Sequence, residues 1–257
     1  MSRIFITGSA DGLGQMAARL LVAQGHQVVL HARHEERAHE AMQAVSGAQA
    51  AASGDLSSIE ETTRVALQVN RLGHFDAVIH NAAVGYREPR RIETVDGLPH
   101  VFAVNTLAPY ILTALIDKPQ RLVYLSSGLH ESGDASLDDL LWKQRSWQGA
   151  SAYSDSKLHD VLLAFGVARR WPGVFSNAVH PGWVPTRMGG AGAPDDLKAA
   201  PQTQAWLAVS NDPAARVTGE YFFHMKRREP SVAARDADLQ DRLIEACERL
   251  SGIRLPG

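Results

Sequence analysis

Between a short apolar run, Ile4 to Thr7, and a stretch in which Leu13, Met16, Ala17, Leu20 and Leu21 recur at helical spacing lies Thr7-Gly8-Ser9-Ala10-Asp11-Gly12-Leu13-Gly14. Strand, glycine-rich turn and amphipathic helix in that order constrain the fold more than any other feature of the chain. Glycines here allow a tight turn, close approach of backbone to a phosphate and close helix packing, with the helix N-terminus facing the anion. Gly8, Ser9, Gly12, Leu13 and Gly14 are therefore candidate cofactor-binding residues. The spacing is not G-x-G-x-x-G, and the plain alternative is a turn that holds no ligand.

Further along, short β-rich runs alternate with longer stretches of helical periodicity, the pattern of βαβ units around a parallel sheet. Gln27 to Ala32, Ala77 to His80, Leu122 to Ser126 and Ser176 to His180 read as strands. Gly25 stops the first helix. Leu158, Val161, Leu162, Phe165 and Ala168 form a second apolar stripe, and Leu239, Leu243, Ala246 and Leu250 a third. With 257 residues, no internal repeat and no shift in composition, the expectation is one α/β domain over residues 1–257: a doubly wound, Rossmann-type parallel sheet with helices on both faces. Segments 130–150 and 185–201 lack periodicity and are candidates for shaping a substrate pocket.

A formal net charge of -2 gives no field that would gather nucleic acid or an anionic membrane, so a small-molecule substrate is expected. The start of the chain does not read as a signal peptide, and no apolar run approaches the ~20 residues of a membrane span. The cytoplasm is the default address, and a homo-oligomer is left open. The single cysteine, Cys247, falls in an apolar helical stripe and reads as a buried thiol. His26, His31, His34 and His39 lack the spacing of metal ligands and read as solvated histidines; no metal is expected. Lys226-Arg227-Arg228 reads as a solvated face.

Tyr153-Ser154-Asp155-Ser156-Lys157 precedes the second stripe. Residues four apart share a helix face, so the phenol and the ammonium can enter one site. A nearby ammonium favours the phenolate and brings the phenol toward a useful range for proton exchange with an alkoxide. The same segment also spells S-x-x-K, a serine-hydrolase signature, but its S-D-N and K-T-G companions are missing.

Together these residues resemble the short-chain dehydrogenase/reductase family. The matching patterns are Thr7 to Gly14, Asn81-Ala82-Ala83, Ser126-Ser127 after a strand, and Tyr153 with Lys157, in the family's order; Asp55-Leu56, Asn105 and Pro181-Gly182 with Thr186 also fit. The resemblance implies an NAD(P)(H)-dependent oxidoreductase that moves a hydride between nicotinamide and a carbonyl or alcohol. By it, Tyr153 exchanges the proton, Ser127 bonds the substrate oxygen, Lys157 holds the nicotinamide ribose and tunes Tyr153, and Asn105 relays protons through water. Asp55 and Leu56 would sit by the adenine, Asn81, Ala82 and Ala83 along the adenosine side, and Pro181, Gly182 and Thr186 along the nicotinamide. For Asn105 a purely structural bridge is the alternative, and for Asp55 a turn role.

Ser127 lies 26 positions before Tyr153, and the insert with Leu137-Asp138-Asp139-Leu140 and Arg145-Ser146-Trp147 is similar to the retinol dehydrogenase-like branch, as are Ser156-Lys157-Leu158 and His180-Pro181-Gly182. The rival from another class is a nucleotide-sensing module that kept the fold and lost catalysis. Against it stands the intact set of Ser127, Tyr153 and Lys157. After the second strand Arg33 occupies the place where an NAD-selective site offers a carboxylate, so NADP(H) is expected over NAD(H), with Asp11 as an opposing charge.

Overall fold

Strand β1 (Arg3–Ile6) sends Ile4 and Ile6 into one apolar layer and Phe5 into the other, the two-residue period of a strand buried on both faces. The same division holds in β2 (Gln27–Ala32), where Val28 and Leu30 join Ile4 and Ile6, and Val29 joins Phe5. Each such buried Val, Leu, Ile or Phe is worth about 1.5–3 kcal/mol.

The computed structural model describes residues 1–257. Its sheet continues with β3 (Ala50–Ser53), β4 (Ala77–His80), β5 (Arg121–Leu125), β6 (Phe175–His180), β7 (Tyr221–Phe223) and β8 (Lys226–Arg228), in the spatial order β3-β2-β1-β4-β5-β6-β7-β8. All pairs are parallel except β7 with β8; Ile4 sits beside Val28 on one side and Ala77 on the other. Helices α1 (Gly12–Ala23), α2 (Glu35–Ala44) and α7 (Gln202–Val209) cover the Ile4 face. The Phe5 face carries α3 (Ile59–Arg71), α5 (Ala108–Leu115), α6 (Gly149–Arg170) and α8 (Ala237–Ser251). This is the doubly wound Rossmann-type sheet expected from the sequence. Strand order reverses between β1 and β4, so a crevice opens beyond their carboxyl ends, where the glycine turn and Asn81 lie.

Two features position the site. A single turn, α4 (His100–Phe102), passes through a π-helical turn at Ala103–Leu107 into α5, and this bulge is centred on Asn105. Helix α6 is buried without a break from Ala152 to Ala168, including Tyr153, Asp155, Lys157, His159 and Asp160. Polar groups so placed need partners, because leaving one unpaired costs about 1–3 kcal/mol.

Three strands differ from the sequence reading. Ala50 to Ser53 has no β-branched or aromatic residue and is a strand through its pairing with Val29 to Ala32. Tyr221–Phe223 and Lys226–Arg228 form a short antiparallel pair; the three basic residues are exposed, as expected, and charge an open sheet edge. Cys247 is fully buried in α8, and burial pushes its thiol up. No helix is long and apolar enough to cross a membrane.

Candidate active site

The glycine turn is held from below. Gly8 (φ +60°) and Gly12 (φ +54°) adopt left-handed backbone that other residues resist. A Cβ on Gly8 would lie 2.7 Å from Cα of Ala82, and one on Gly14 would lie 2.5 Å from Nδ2 of Asn81, so neither position accepts a side chain. Above Gly12 a Cβ would meet nothing within 4 Å. Asp11 caps α1 without a side-chain hydrogen bond to its N-terminus, so the first N–H groups of the helix point into the crevice without a side-chain acceptor. A pyrophosphate fits this cradle, with Gly8, Ser9, Gly12, Leu13 and Gly14 as its walls.

Asn81 and Ala82 brace the turn. Asn81 Nδ2 donates to the carbonyls of Thr7 and Gly8, both at 3.0 Å, and the N–H groups of Asn81 and Ala82 donate to Oγ1 of Thr7 at 2.9 Å. Ser9 is fully buried, its Oγ donating to Ile6 O at 2.8 Å and accepting from the His31 N–H at 2.9 Å.

The expectation that His31 is solvated is overturned. Its side chain is buried, accepts the Gly8 N–H at Nδ1 (3.0 Å) and meets Gly54 O at Nε2 (3.0 Å). Burial brings it down to about 4. His26 is half-buried and accepts the Ser2 N–H, whereas His34 and His39 are exposed. A run such as Val28-Val29-Leu30-His31-Ala32 in a parallel sheet is buried on both faces, and that was the available signal.

Past the carboxyl end of β2, Arg33 pairs with Asp55 at 3.2 Å, their side chains 59% and 33% exposed. Asp55 Oδ1 also accepts the Ser57 N–H, so it serves a turn as well. Leu56 packs into the core. The opposing charge of Asp11 is met by Arg37 at 3.2 Å, a residue the sequence reading did not single out.

At the other end of the crevice, β5 delivers Ser126 and Ser127. Ser126 Oγ donates to Lys157 O at 2.7 Å, stitching the strand end to α6, and Ser127 Oγ accepts the Leu129 N–H at 3.2 Å. The Lys157 ammonium lies 5.5 Å from the centre of the Tyr153 ring and donates to Leu125 O and Asp160 Oδ2, each at 2.7 Å. Burial holds the Tyr153 phenol above its ordinary value; Lys157 and the Ser127 hydroxyl pull it down, while Asp160 and Tyr86 add to the rise. For Lys157 burial works against the charge, but Asp160 and Tyr153 outweigh it and the ammonium is held up. Such a set can pass a proton between the phenol and a substrate oxygen.

Asn105 braces rather than dangles: Nδ2 donates to Val84 O and Ser156 Oγ, both at 3.0 Å, and Oδ1 accepts the Val84 N–H at 2.8 Å. Both donors are spent on protein atoms, which favours the structural bridge over a side-chain relay. Ala83 leads into the loop that Asn105 holds, and from that loop Tyr86 sets its ring at 5.7 Å from that of Tyr153 and donates to Met188 O at 3.1 Å. Beyond β6, Gly182 (φ +97°) donates to Nδ1 of His180, and Thr186 Oγ1 accepts the Gly189 N–H. Pro181 and Thr186 make no direct bond to Tyr153 or Lys157; they line the adjoining segment, where Trp183 is 56% exposed.

Comparison with known proteins gives the chain's family. The family profile described as short chain dehydrogenase matches residues 2–120. An uncharacterized oxidoreductase of Emericella nidulans is 46% identical, with all of both chains aligned. The chain belongs to the short-chain dehydrogenase/reductase family. Among this family's members human retinol dehydrogenase 13 is 31% identical over 98% of this chain and 85% of its own length, so the resemblance to that branch is real. A crystal structure of an uncharacterized protein from Mycobacterium paratuberculosis superposes with a TM-score of 0.86 at 25% identity, covering 100% of this chain and 96% of its own. As a short-chain dehydrogenase/reductase the protein is a nicotinamide-dependent oxidoreductase.

Proposed function

We propose that this protein transfers a hydride between NADP(H) and a small-molecule carbonyl or alcohol, with Tyr153 as general acid and base. The observation that carries the reading is the meeting of Tyr153, Lys157 and Ser127 on buried α6 and the end of β5, at the same edge of the sheet as the glycine cradle.

A bound nicotinamide supplies or takes up the hydride. Gly8 to Gly14 hold the pyrophosphate, Arg33 and Asp55 face the adenosine end, and Pro181, Gly182 and Thr186 border the nicotinamide end. In reduction Tyr153 gives its phenolic proton to the substrate oxygen while Ser127 donates a hydrogen bond to that oxygen; in oxidation Tyr153 takes the proton back. Lys157 keeps positive charge beside the phenol throughout. Asn105 holds the Val84 loop against α6 and so fixes one wall of the site.

Support for NADP(H) lies in the charges around β2. Arg33 is more than half exposed, and the carboxylates of Asp55 and Asp11 are opposed by Arg33 and Arg37. Directly after β2 the chain offers the Arg33 guanidinium where an NAD-selective site offers a carboxylate to the ribose 2′-hydroxyl. Segments 130–150 and 185–201 supply the substrate walls. A panel of ketones, aldehydes and secondary alcohols, followed by nicotinamide absorbance with each cofactor, tests the whole reading; absence of turnover across the panel in both directions would count against it.

A further inference from the structure

Lys157 does not serve Tyr153 alone. Tyr153, Lys157 and Asp160 stand at i, i+4 and i+7 of α6, on one face of the helix. The Lys157 and Asp160 side chains are each 3% exposed and meet at 2.7 Å. An ammonium has three N–H donors, and Asp160 Oδ2 and Leu125 O take two of them in fixed directions. One donor remains. The geometry points to Asp160 as a positioning residue: it is the counter-ion that keeps the Lys157 ammonium charged and aims its remaining N–H toward Tyr153 and the cofactor ribose.

The surroundings leave no substitute for it. From α6 Lys157 faces the Tyr153 phenol, and from β5 it faces the Leu125 carbonyl, which is neutral. Beside Asp160 on β5 lies Tyr124, whose buried phenol shares a 2.7 Å hydrogen bond with Thr113 of α5; Thr113 in turn meets His80 of β4 at 3.0 Å, and burial keeps that histidine neutral. Asp160 is the only carboxylate within ion-pair distance of Lys157. A fully buried lysine left with one carbonyl partner loses its proton several pH units early.

This inference rests on the reading of Lys157 as the group that steers Tyr153, yet it can be tested without turnover. The chain has five lysines, so [13Cε]lysine labelling gives five resonances, and Lys157→Arg assigns the one of interest. In the cofactor-free wild type the Lys157 signal should titrate no earlier than the other four. In Asp160→Asn it should titrate at least about one pH unit earlier, a tenfold loss of proton affinity. Coincident titration curves in the two proteins would overturn the proposal, whatever the substrate panel shows. Conversely, an inactive panel with a displaced curve would sink the proposed reaction and leave the ion pair standing.

If Asp160→Asn proves too unstable to titrate, thermal unfolding of Lys157→Met and of Lys157→Met/Asp160→Asn decides the matter. A counter-ion without its cation is a liability, so the double variant should melt higher than the single one. Equal or lower melting of the double variant would refute the pairing.

Discussion

The Gly8 N–H donates to Nδ1 of His31 at 3.0 Å, and the other ring nitrogen of His31 meets Gly54 O at 3.0 Å. One neutral imidazole thus ties the glycine turn to the loop that carries Asp55, and these two contacts fix its tautomer with the proton on Nε2. His31→Leu leaves a donor and an acceptor unpaired, at about 1–3 kcal/mol each. The urea midpoint should fall, and the Kd for NADPH, read by nicotinamide fluorescence, should rise several-fold while turnover at saturating cofactor changes little. A Kd equal to that of the wild type would show that His31 does not shape the turn.

Tyr153→Phe keeps the ring that faces Tyr86 at 5.7 Å and removes only the transferable proton. Cofactor binding should persist while single-turnover reduction slows by about 10²–10⁴-fold, the span of general acid and base catalysis. A smaller loss argues against the assignment. Lys157→Ala should lose both rate and cofactor affinity, since its ammonium is assigned to both.

What could be read in advance follows from distance along the chain. The turn at Gly8 to Gly14 and the pair Tyr153 and Lys157 are local patterns, and both stand where periodicity placed them. Asp160 belongs to the same helix face, three residues past Lys157, but nothing local says that the face is buried all round. Arg145 meets Asp134, Asp139 and Asp155 through folding of residues up to eleven positions apart and stacks on Trp142 at 3.9 Å. Such convergence is decided by tertiary packing, as is the pairing that makes a strand of Ala50 to Ser53. Ligand spacing says nothing about exposure, and His31 is buried because its strand is covered on both faces of the sheet.

Arg33 lies at the open end of β2 and is already paired with Asp55, so a 2′-phosphate would share or displace an existing partner. A charge-assisted bond to phosphate is worth about 1.5–3 kcal/mol, roughly ten- to 150-fold in affinity before that cost. Arg33→Ala should lower the preference for NADPH over NADH several-fold. Equal ratios of the two Kd values in wild type and variant would dismiss Arg33 as the selecting residue.

The two irregular segments should respond differently to ligand. Residues 130–150 are pinned by Arg145 and by Trp147, whose Nε1 donates to Glu88 O at 2.9 Å. Residues 185–201 are tied to the rest of the chain by the Tyr86 bond to Met188 O, the Trp183 bond to Gly189 O and the Asp195 carboxylate on the Trp183 N–H. Hydrogen exchange should already be slow across much of 130–150 in the free protein. On adding cofactor with a substrate analogue it should slow mainly in 185–201. No change there would remove that segment as the lid.

Acid should destabilise the fold before most carboxylates titrate. Burial brings His31 down to about 4 and His80 and His159 down to about 3, whereas each takes up a proton near 6.5 in the unfolded chain. Between those values the unfolded state binds more protons, so stability present above about pH 6.5 is lost as pH falls toward the folded values. Each histidine contributes about 1.4 kcal/mol per pH unit in that window. Asp160 works in the opposite direction, because burial lifts its carboxyl above the ordinary carboxylate range against the pull of Lys157. His180 is likewise brought down to about 4 by burial, so the histidines outweigh Asp160, protons are taken up on unfolding, and the urea midpoint should drop steadily from pH 6.5 to pH 5. His159 meets Thr106 Oγ1 at 3.1 Å, a contact that glutamine can imitate. His159→Gln should therefore flatten the slope of unfolding free energy against pH by about one proton. A slope identical to that of the wild type would mean that His159 keeps its charge state on unfolding, contrary to its burial.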